Sequence, residues 1–488
     1  MDCTGVENAR HRLAACAPIL WTNRSGEAPP MTCLTHQQGS TSQFKHMAAE
    51  WENTPGWDVI GIGRDTAPGY PDNPGFKLIR YKPHRPVGKD QHPYLRRMED
   101  AVLRGQAVAR ILLQLKRKGW QPDTILAHPG WGETLYAKDV FPDARLVHYC
   151  EWFYNAPPLD VIEGKVEIDR AEWPYADIGF DPEFPVTFDD LACIRSWNAL
   201  HLLNLANCDV GISPTQWQKA QHPNPFLDKI VVAHEGIDSE NLGPDPNAVI
   251  ETPSGEMLRA NAPDKPVITY VARNLEPYRA FHTFMRALPQ VQQEHKNANV
   301  VIVGGDDVSY GSRPKDAKNW REKMLAEVGH QLDSTRTHFL GKVPYADYKR
   351  VLQVSSVHVY LTYPFVLSWS CLEAMATGCV VVASSAAPVR EVTTHGANGL
   401  LVAPTHQHAS ADGMVSALAL KASEASKLQQ SARARVASMD RVQGRMSIES
   451  LVVPQEGARC PTLPVNPVQQ PGNDAGLGLR ETLIGETA

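Results

Sequence analysis

Nowhere does this chain reach the about 18 to 20 uninterrupted apolar residues that a membrane-spanning helix needs, which excludes a helical integral membrane protein. The nearest approach to a leader, Leu13–Trp21, is short, broken by Pro18 and without a small-residue cleavage context. A C-x-x-C pair is missing too. The nine cysteines (Cys3, Cys16, Cys33, Cys150, Cys193, Cys208, Cys371, Cys379, Cys460) are odd in number and scattered, which excludes a zinc ribbon and a disulfide framework and fits reduced thiols. The expected location is cytoplasmic, and there the Asn23-Arg24-Ser25 sequon has no use. No basic excess is present. With a net charge of −6 the chain has no global field for nucleic acid. Short internal repeats are also absent.

What is there is a soluble globular composition, 42% hydrophobic and 21% charged, in 488 residues, too many for one core. Residues 1–30 carry no periodicity and read as a disordered extension, with Met31 opening the first domain and standing as an alternative start. From 31 to 242 short apolar runs (Asp58–Gly63, Thr124–His128, Leu146–Cys150, Asp209–Ser213, Ile230–Ala233) alternate with helical stretches such as Tyr94–Gly119 and Leu191–Ala206. Residues 243–265, rich in Pro, Gly and polar side chains, read as a linker. A second alternating series fills 266–440 and ends in one predicted helix, Val415–Ala437, before a largely disordered tail over 441–488. Short buried strands alternating with helices predict an α/β protein of two tandem Rossmann-like domains facing each other across a cleft. Ligands in such sheets bind beyond the carboxyl ends of strands, so function is sought there.

In the second domain strand Val267–Ala272 runs into Arg273 and Arg279, six residues apart, which can clamp a diphosphate; a structural salt bridge of Arg273 with Glu276 or Glu373 is the alternative. The next strand ends in Gly304-Gly305-Asp306-Asp307. These glycines either let a ligand approach the backbone or form a tight turn, and the two acids lack the further ligands of a metal site. Strand Val357–Leu361, a short loop and helix Ser368–Thr377 make an anion site from unpaired helical N–H groups. Within that helix Glu373 either closes an S-x-x-E capping box with Ser370 or accepts the two hydroxyls of a sugar diol. In the first domain His36, His128 and Glu151 follow strands. His128 leads into Trp131 and Glu133, and Glu151 leads into Trp152-Phe153-Tyr154. Acids and histidines beside aromatic rings suit a carbohydrate site, although each taken singly reads as a hydrogen-bonded loop residue.

The set RNLEPYRAFHTF, VIVGG, HFLGKVPYADY, LEAMATG and PVREV…HGANGLLV resembles the donor domain of family 4 (group 1) glycosyltransferases of the GT-B fold. THQQGSTSQFKHMA, HPGWGETL, HYCEWFY and ISPTQWQ resemble a bacterial branch of it, and the likeness covers about residues 31–440. The resemblance implies that Arg273 and Arg279 hold the donor diphosphate, that Glu373 binds the nucleotide ribose, and that Leu367, Ser368 and Ser370 meet the phosphates with Gly304 and Gly305 nearby. Glu151 or His128 would contact the transferred sugar, and His36, Trp131 and Glu133 would stand on the acceptor side. One departure is plain: the first glutamate of the family's paired motif is replaced by Phe365, eight residues before Glu373. The expected activity is retaining transfer from a UDP- or GDP-sugar to a glycan or lipid-linked acceptor in polysaccharide biosynthesis, without metal or other cofactor. A catalytically silent nucleotide-sugar-binding subunit, or another GT-B enzyme such as a sugar-nucleotide epimerase, is the alternative. Lys116–Lys118 offers a patch for peripheral contact at the inner membrane face, or simply a solvated helix end.

Overall fold

The computed structural model describes residues 20–21, 44–66, 75–169, 172–175 and 178–453; His36 and the stretch from Pro454 onward lie outside them. In the first lobe the elements are β1 (Leu20–Trp21), α1 (Lys45–Glu52), β2 (Ile60–Arg64), β3 (Lys77–Tyr81), α2 (Arg96–Arg117), β4 (Thr124–Ala127), β5 (Arg145–Tyr149), α3 (Phe188–Asn207), β6 (Val210–Ser213), α4 (Gln216–Ala220) and β7 (Ile230–Val232). The sheet runs β1-β4-β5-β6-β7, parallel from β4 to β7, and β2 and β3 form a separate parallel pair. At its edge β1 pairs antiparallel with β4, so Leu20–Trp21 belongs to the sheet and not to a disordered extension.

The second lobe opens with the hairpin β8 (Val249–Glu251) and β9 (Met257–Arg259). These residues were expected in a linker. Instead Ile250 and Leu258 are buried against Val267, Val301 and Val351, so the hairpin is part of this lobe's core. Then come β10 (Val267–Asn274), α5 (Phe281–Glu294), β11 (Asn299–Gly305), α6 (Trp320–Val328), β12 (Thr337–Gly341), α7 (Tyr345–Gln353), β13 (Val357–Tyr360), α8 (Trp369–Thr377), β14 (Val380–Ser384), β15 (Leu400–Val402), α9 (Gln407–Leu418) and α10 (Ala422–Ala437). All six strands of its sheet are parallel, in the order β12-β11-β10-β13-β14-β15. Such a sheet winds outward in both directions from its centre, leaving a crevice between the carboxyl ends of the two central strands, β10 and β13.

Two further boundaries differ from expectation. Val415–Ala437 is not one helix: α9 and α10 are separated at Ala419–Lys421, the first packing beside β15 and the second against α8. The tail also begins later. Arg441–Val452 forms α11, which returns to the first lobe and buries Ile448 and Val452 in that lobe's core. There Thr124 Oγ1 donates to the Val452 carbonyl (2.8 Å), and Arg145 Nε donates to that of Leu451 (2.9 Å). Among the described residues no helix is long and apolar enough to cross a membrane.

Four buried histidines make stability pH-dependent, His201 being held well below its ordinary value by burial as well. Burial, before any other cause, pushes His148 and His358 down to about 3 and His222 to about 4. Unfolded, each protonates near 6.5. Between those values the unfolded chain binds more protons, so this stability is complete above about pH 7 and is lost as pH falls through 6.5 toward 4. Each histidine adds a slope of up to about 1.4 kcal/mol per pH unit. Urea unfolding at pH 7.5, 6 and 5 should give a steadily falling free energy; a flat profile would mean that these rings take up their protons within the fold.

Candidate functional site

Residues from both central strands of the second sheet meet in the crevice. After β10 the chain makes one tight turn, Pro277–Arg279, and enters α5 through Ala280, whose φ of 46° is left-handed and strained for a residue with a Cβ. That turn directs Arg279 inward, only 9% exposed. Its Nη1 donates to Thr362 Oγ1 (2.8 Å) and the Tyr360 hydroxyl (3.3 Å), both at the end of β13, and its guanidinium lies over the Tyr310 and Phe365 rings. Among the described residues Arg279 forms no ion pair with a carboxylate. Nearby Glu276 is fully buried and accepts from the backbone N–H groups of Ser309, Tyr310 and Gly311. Burial raises its pKa, and those three hydrogen bonds act against the rise.

The N-terminus of α8 faces the same crevice. Ser368 is its N-cap, with its side chain accepting from Ser370 N, and Gly378 ends the helix at φ 86°. Leu367 is buried beneath, and Ser368 N donates to the Tyr360 hydroxyl (2.9 Å). The Ser370–Glu373 capping box is not formed. Glu373 instead points away from the helix start and accepts from Tyr345 (3.0 Å) and Tyr348 (2.5 Å). Burial raises its pKa, and the two phenols oppose that rise.

Neither proposed salt bridge of Arg273 is made, since Glu276 and Glu373 are held elsewhere; Arg273 is exposed at the end of β10. Gly304 and Gly305 lie where close neighbours leave no room for a Cβ. A Cβ at Gly304 would strike Leu275 at 2.7 Å, and one at Gly305 would strike Lys342 at 2.3 Å and Asn274 at 2.5 Å. Asp306 and Asp307 pair with Arg321 (2.6 Å) and Arg313 (2.7 Å). Among the described residues no group of three or more His, Cys, Asp or Glu is arranged to hold a metal ion.

On the first-lobe side the structure brings His128 and Glu151 together. Gly130 N donates to His128 Nδ1 (2.9 Å), which leaves Nε2 carrying the proton, 3.5 Å from Glu151 Oε2. Trp131 stacks obliquely on His128 with ring centroids 5.5 Å apart. Glu133 belongs elsewhere: it is buried and accepts from the Tyr81 hydroxyl (2.6 Å), which ties β3 to the loop after β4.

Four contacts between the lobes escaped the sequence reading. Trp152 meets Phe365 at 4.3 Å between centroids, and its buried Nε1 finds no acceptor among the described residues. Glu235, just past β7, accepts from Trp369 Nε1 (2.5 Å) and from the Tyr149 hydroxyl. Glu391 accepts from Gln216 N (2.9 Å) and Trp217 N (2.6 Å), so a carboxylate of one lobe caps α4 of the other. Asp181 accepts from the Tyr363 hydroxyl (2.6 Å) and pairs with His282 (3.1 Å). The strand-end rule, applied to β7, would have singled out Glu235. Nothing local marks the others.

A family model described as the glycosyl transferase family 4 group matches residues 55–162 and 171–242, and one described as glycosyl transferases group 1 matches 258–435. Over 151 residues the chain is 28% identical to an uncharacterised glycosyltransferase of Methanocaldococcus jannaschii, covering 31% of this chain but only 35% of that protein. Sucrose-phosphate synthase from Thermosynechococcus elongatus superposes with a TM-score of 0.61 at 18% identity, over 86% of this chain and 98% of that one. HepE of Anabaena, in complex with UDP and glucose, does so at 0.57 and 14%, over 86% and 99%. At these identities the two structures speak for the fold alone. With one family model on each lobe, the chain belongs to the family 4, group 1 glycosyltransferases and has their GT-B fold.

Proposed function

We propose that this protein moves a sugar, with retention, from a nucleoside diphosphate donor, UDP- or GDP-linked, to a glycan or lipid-linked acceptor. One observation carries the donor half: Arg279 is a buried cation at the central crevice of a doubly wound sheet, hydrogen-bonded to neutral hydroxyls and beside the N-terminus of α8. A buried charge in such surroundings calls for an anion, and a helix N-terminus adds N–H groups of the right polarity. Arg279, with Arg273 at the rim, would neutralise the diphosphate as the glycosidic bond breaks, the moment when its charge is greatest. Glu373 would take the ribose hydroxyls. Across the cleft the His128–Glu151 pair would hold the transferred sugar, and the inter-lobe contacts would keep water from the reacting bond. The UDP bound to HepE, a protein of the same fold, agrees with this donor class.

Calorimetric titration with UDP, GDP and ADP tests the proposal. At least one should bind, and Glu373→Gln should weaken it about tenfold, the worth of one lost charge-assisted hydrogen bond. If none binds at millimolar concentration, the reading is wrong. A silent binding subunit is the second reading, and Phe365 favours it, because an aromatic ring packed on Trp152 and Tyr310 occupies the place of an acid. Nucleotide binding without hydrolysis or transfer of any bound sugar would select it.

A further inference from the structure

The two tyrosines on Glu373 are unequal. Both come from α7, three residues apart and so on one helix face, with ring centroids 5.6 Å apart. Tyr348 is 9% exposed, packed in the core beside α8, and its hydroxyl holds Oε2 from within. Tyr345 is 53% exposed, sits at the first position of α7 after Pro344, and holds Oε1 from outside. Turning its side chain away breaks no helical backbone bond and uncovers little apolar surface. Among the charges acting on Tyr345 are Asp238 and Arg441, themselves paired at 2.9 Å. Those two residues stand where the chain crosses between lobes, since Ile237 and Asp440 form a bridge there. The Tyr345 side of the carboxylate is therefore the solvent-exposed one, and the Tyr348 side the inner one.

We infer that Tyr345 gates the ribose position: its phenol holds the outer oxygen of Glu373 and swings out when a ribose hydroxyl takes its place. The chemistry matches. A phenol and a ribose hydroxyl are both neutral O–H donors to a carboxylate, so one substitutes for the other without leaving the buried charge unpaired. Tyr348 stays throughout and keeps the carboxylate oriented. Gating of this kind rests on Glu373 being the ribose acceptor proposed above, and experiment separates the two.

An internal competitor lowers apparent affinity by the fraction of molecules in which it has let go. Tyr345→Phe keeps the ring and its packing but removes the competitor. It should bind the preferred nucleotide about three- to tenfold more tightly than wild type and lower the donor KM without raising kcat. Its melting temperature should fall by only about 2 to 5 °C, because the free protein then holds one oxygen of Glu373 without its phenol donor. Tyr348→Phe, which leaves a buried carboxylate oxygen unpaired, should bind more weakly. The measurements are titrations of the full chain with UDP and GDP for wild type, Tyr345→Phe, Tyr348→Phe and Glu373→Gln. Equal or weaker binding by Tyr345→Phe, with Glu373→Gln impaired, overturns the gate and leaves the ribose assignment standing. Unimpaired binding by Glu373→Gln overturns the ribose assignment and the gate with it, as does the absence of binding by either nucleotide to wild type.

Discussion

Arg279→Met is expected to lower sugar transfer by about two to three orders of magnitude while the protein stays folded. The two halves of that result come from the same geometry. A guanidinium held by neutral hydroxyls and aromatic faces, with the buried Glu276 acting on it only through space, has given up hydration without gaining an ion pair, so an apolar side chain of similar length costs the fold little. On the proposed role the anion arrives with the substrate, so the loss of Arg279 would fall on the step in which charge develops. Arg279→Lys should recover little, because an ammonium cannot span two phosphate oxygens in one plane as a guanidinium does. Initial rates of nucleotide release, together with a thermal melt of each variant, decide the matter. If Arg279→Met unfolds, or melts about 10 °C or more below wild type with residual activity in proportion, the guanidinium is a structural element and the phosphate assignment falls.

Ending the chain at Asp440 is expected to unfold the first lobe and spare the second. Removing α11 takes Ile448 and Val452 out of the first core, with the hydrogen bonds of Thr124 and Arg145 to its carbonyls, that of Trp51 to Glu449, and the pair Arg445–Glu50 (2.9 Å). Two buried aliphatic side chains at about 1.5 to 3 kcal/mol each and three hydrogen bonds at about 1 kcal/mol each sum to roughly 6 to 9 kcal/mol. That rivals the whole stability of a typical domain. Near-UV circular dichroism and limited proteolysis should find the first lobe open and a resistant fragment over the second. The single change Ile448→Ala should cost about 2 to 4 kcal/mol. Melting of the truncated chain within about 2 °C of the full one would show that α11 is only an ornament.

Much of this was legible because strand-buried residues announce themselves. The apolar runs located β4 to β7, β10 and β13 to within a residue or two, and the strand-end rule pointed to Arg279, His128 and Glu151 as candidates. What was not legible depends on neighbours far along the chain. Ala419–Lys421 contains no Gly or Pro to mark a break, and the division of α9 from α10 comes from what each packs against. Gly444 argues locally against a helix, yet it is there because a Cβ would lie 2.3 Å from the Glu235 carbonyl just past β7. Glu373 was ambiguous for a similar reason: the spacing to Ser370 suits a cap, and only the placement of α7 supplies two phenols instead. Gly304 and Gly305 were marked in sequence only as glycines after a strand, and it is the fold that brings Leu275, Asn274 and Lys342 against the places their Cβ atoms would take.

The return of α11 to the first lobe also sets an order of events at the ribosome. The last strand of the first sheet, β7, leaves the exit tunnel roughly 220 residues before Val452, which at about 5–20 residues per second is a delay on the order of 10 to 40 seconds. Through that interval the first sheet is made but its core lacks one wall, while the core of the second lobe, to which α11 gives no buried side chain among the described residues, can complete itself. The nascent first lobe is therefore the natural client of chaperones in this chain, and the second lobe, though later in sequence, is the first to be finished.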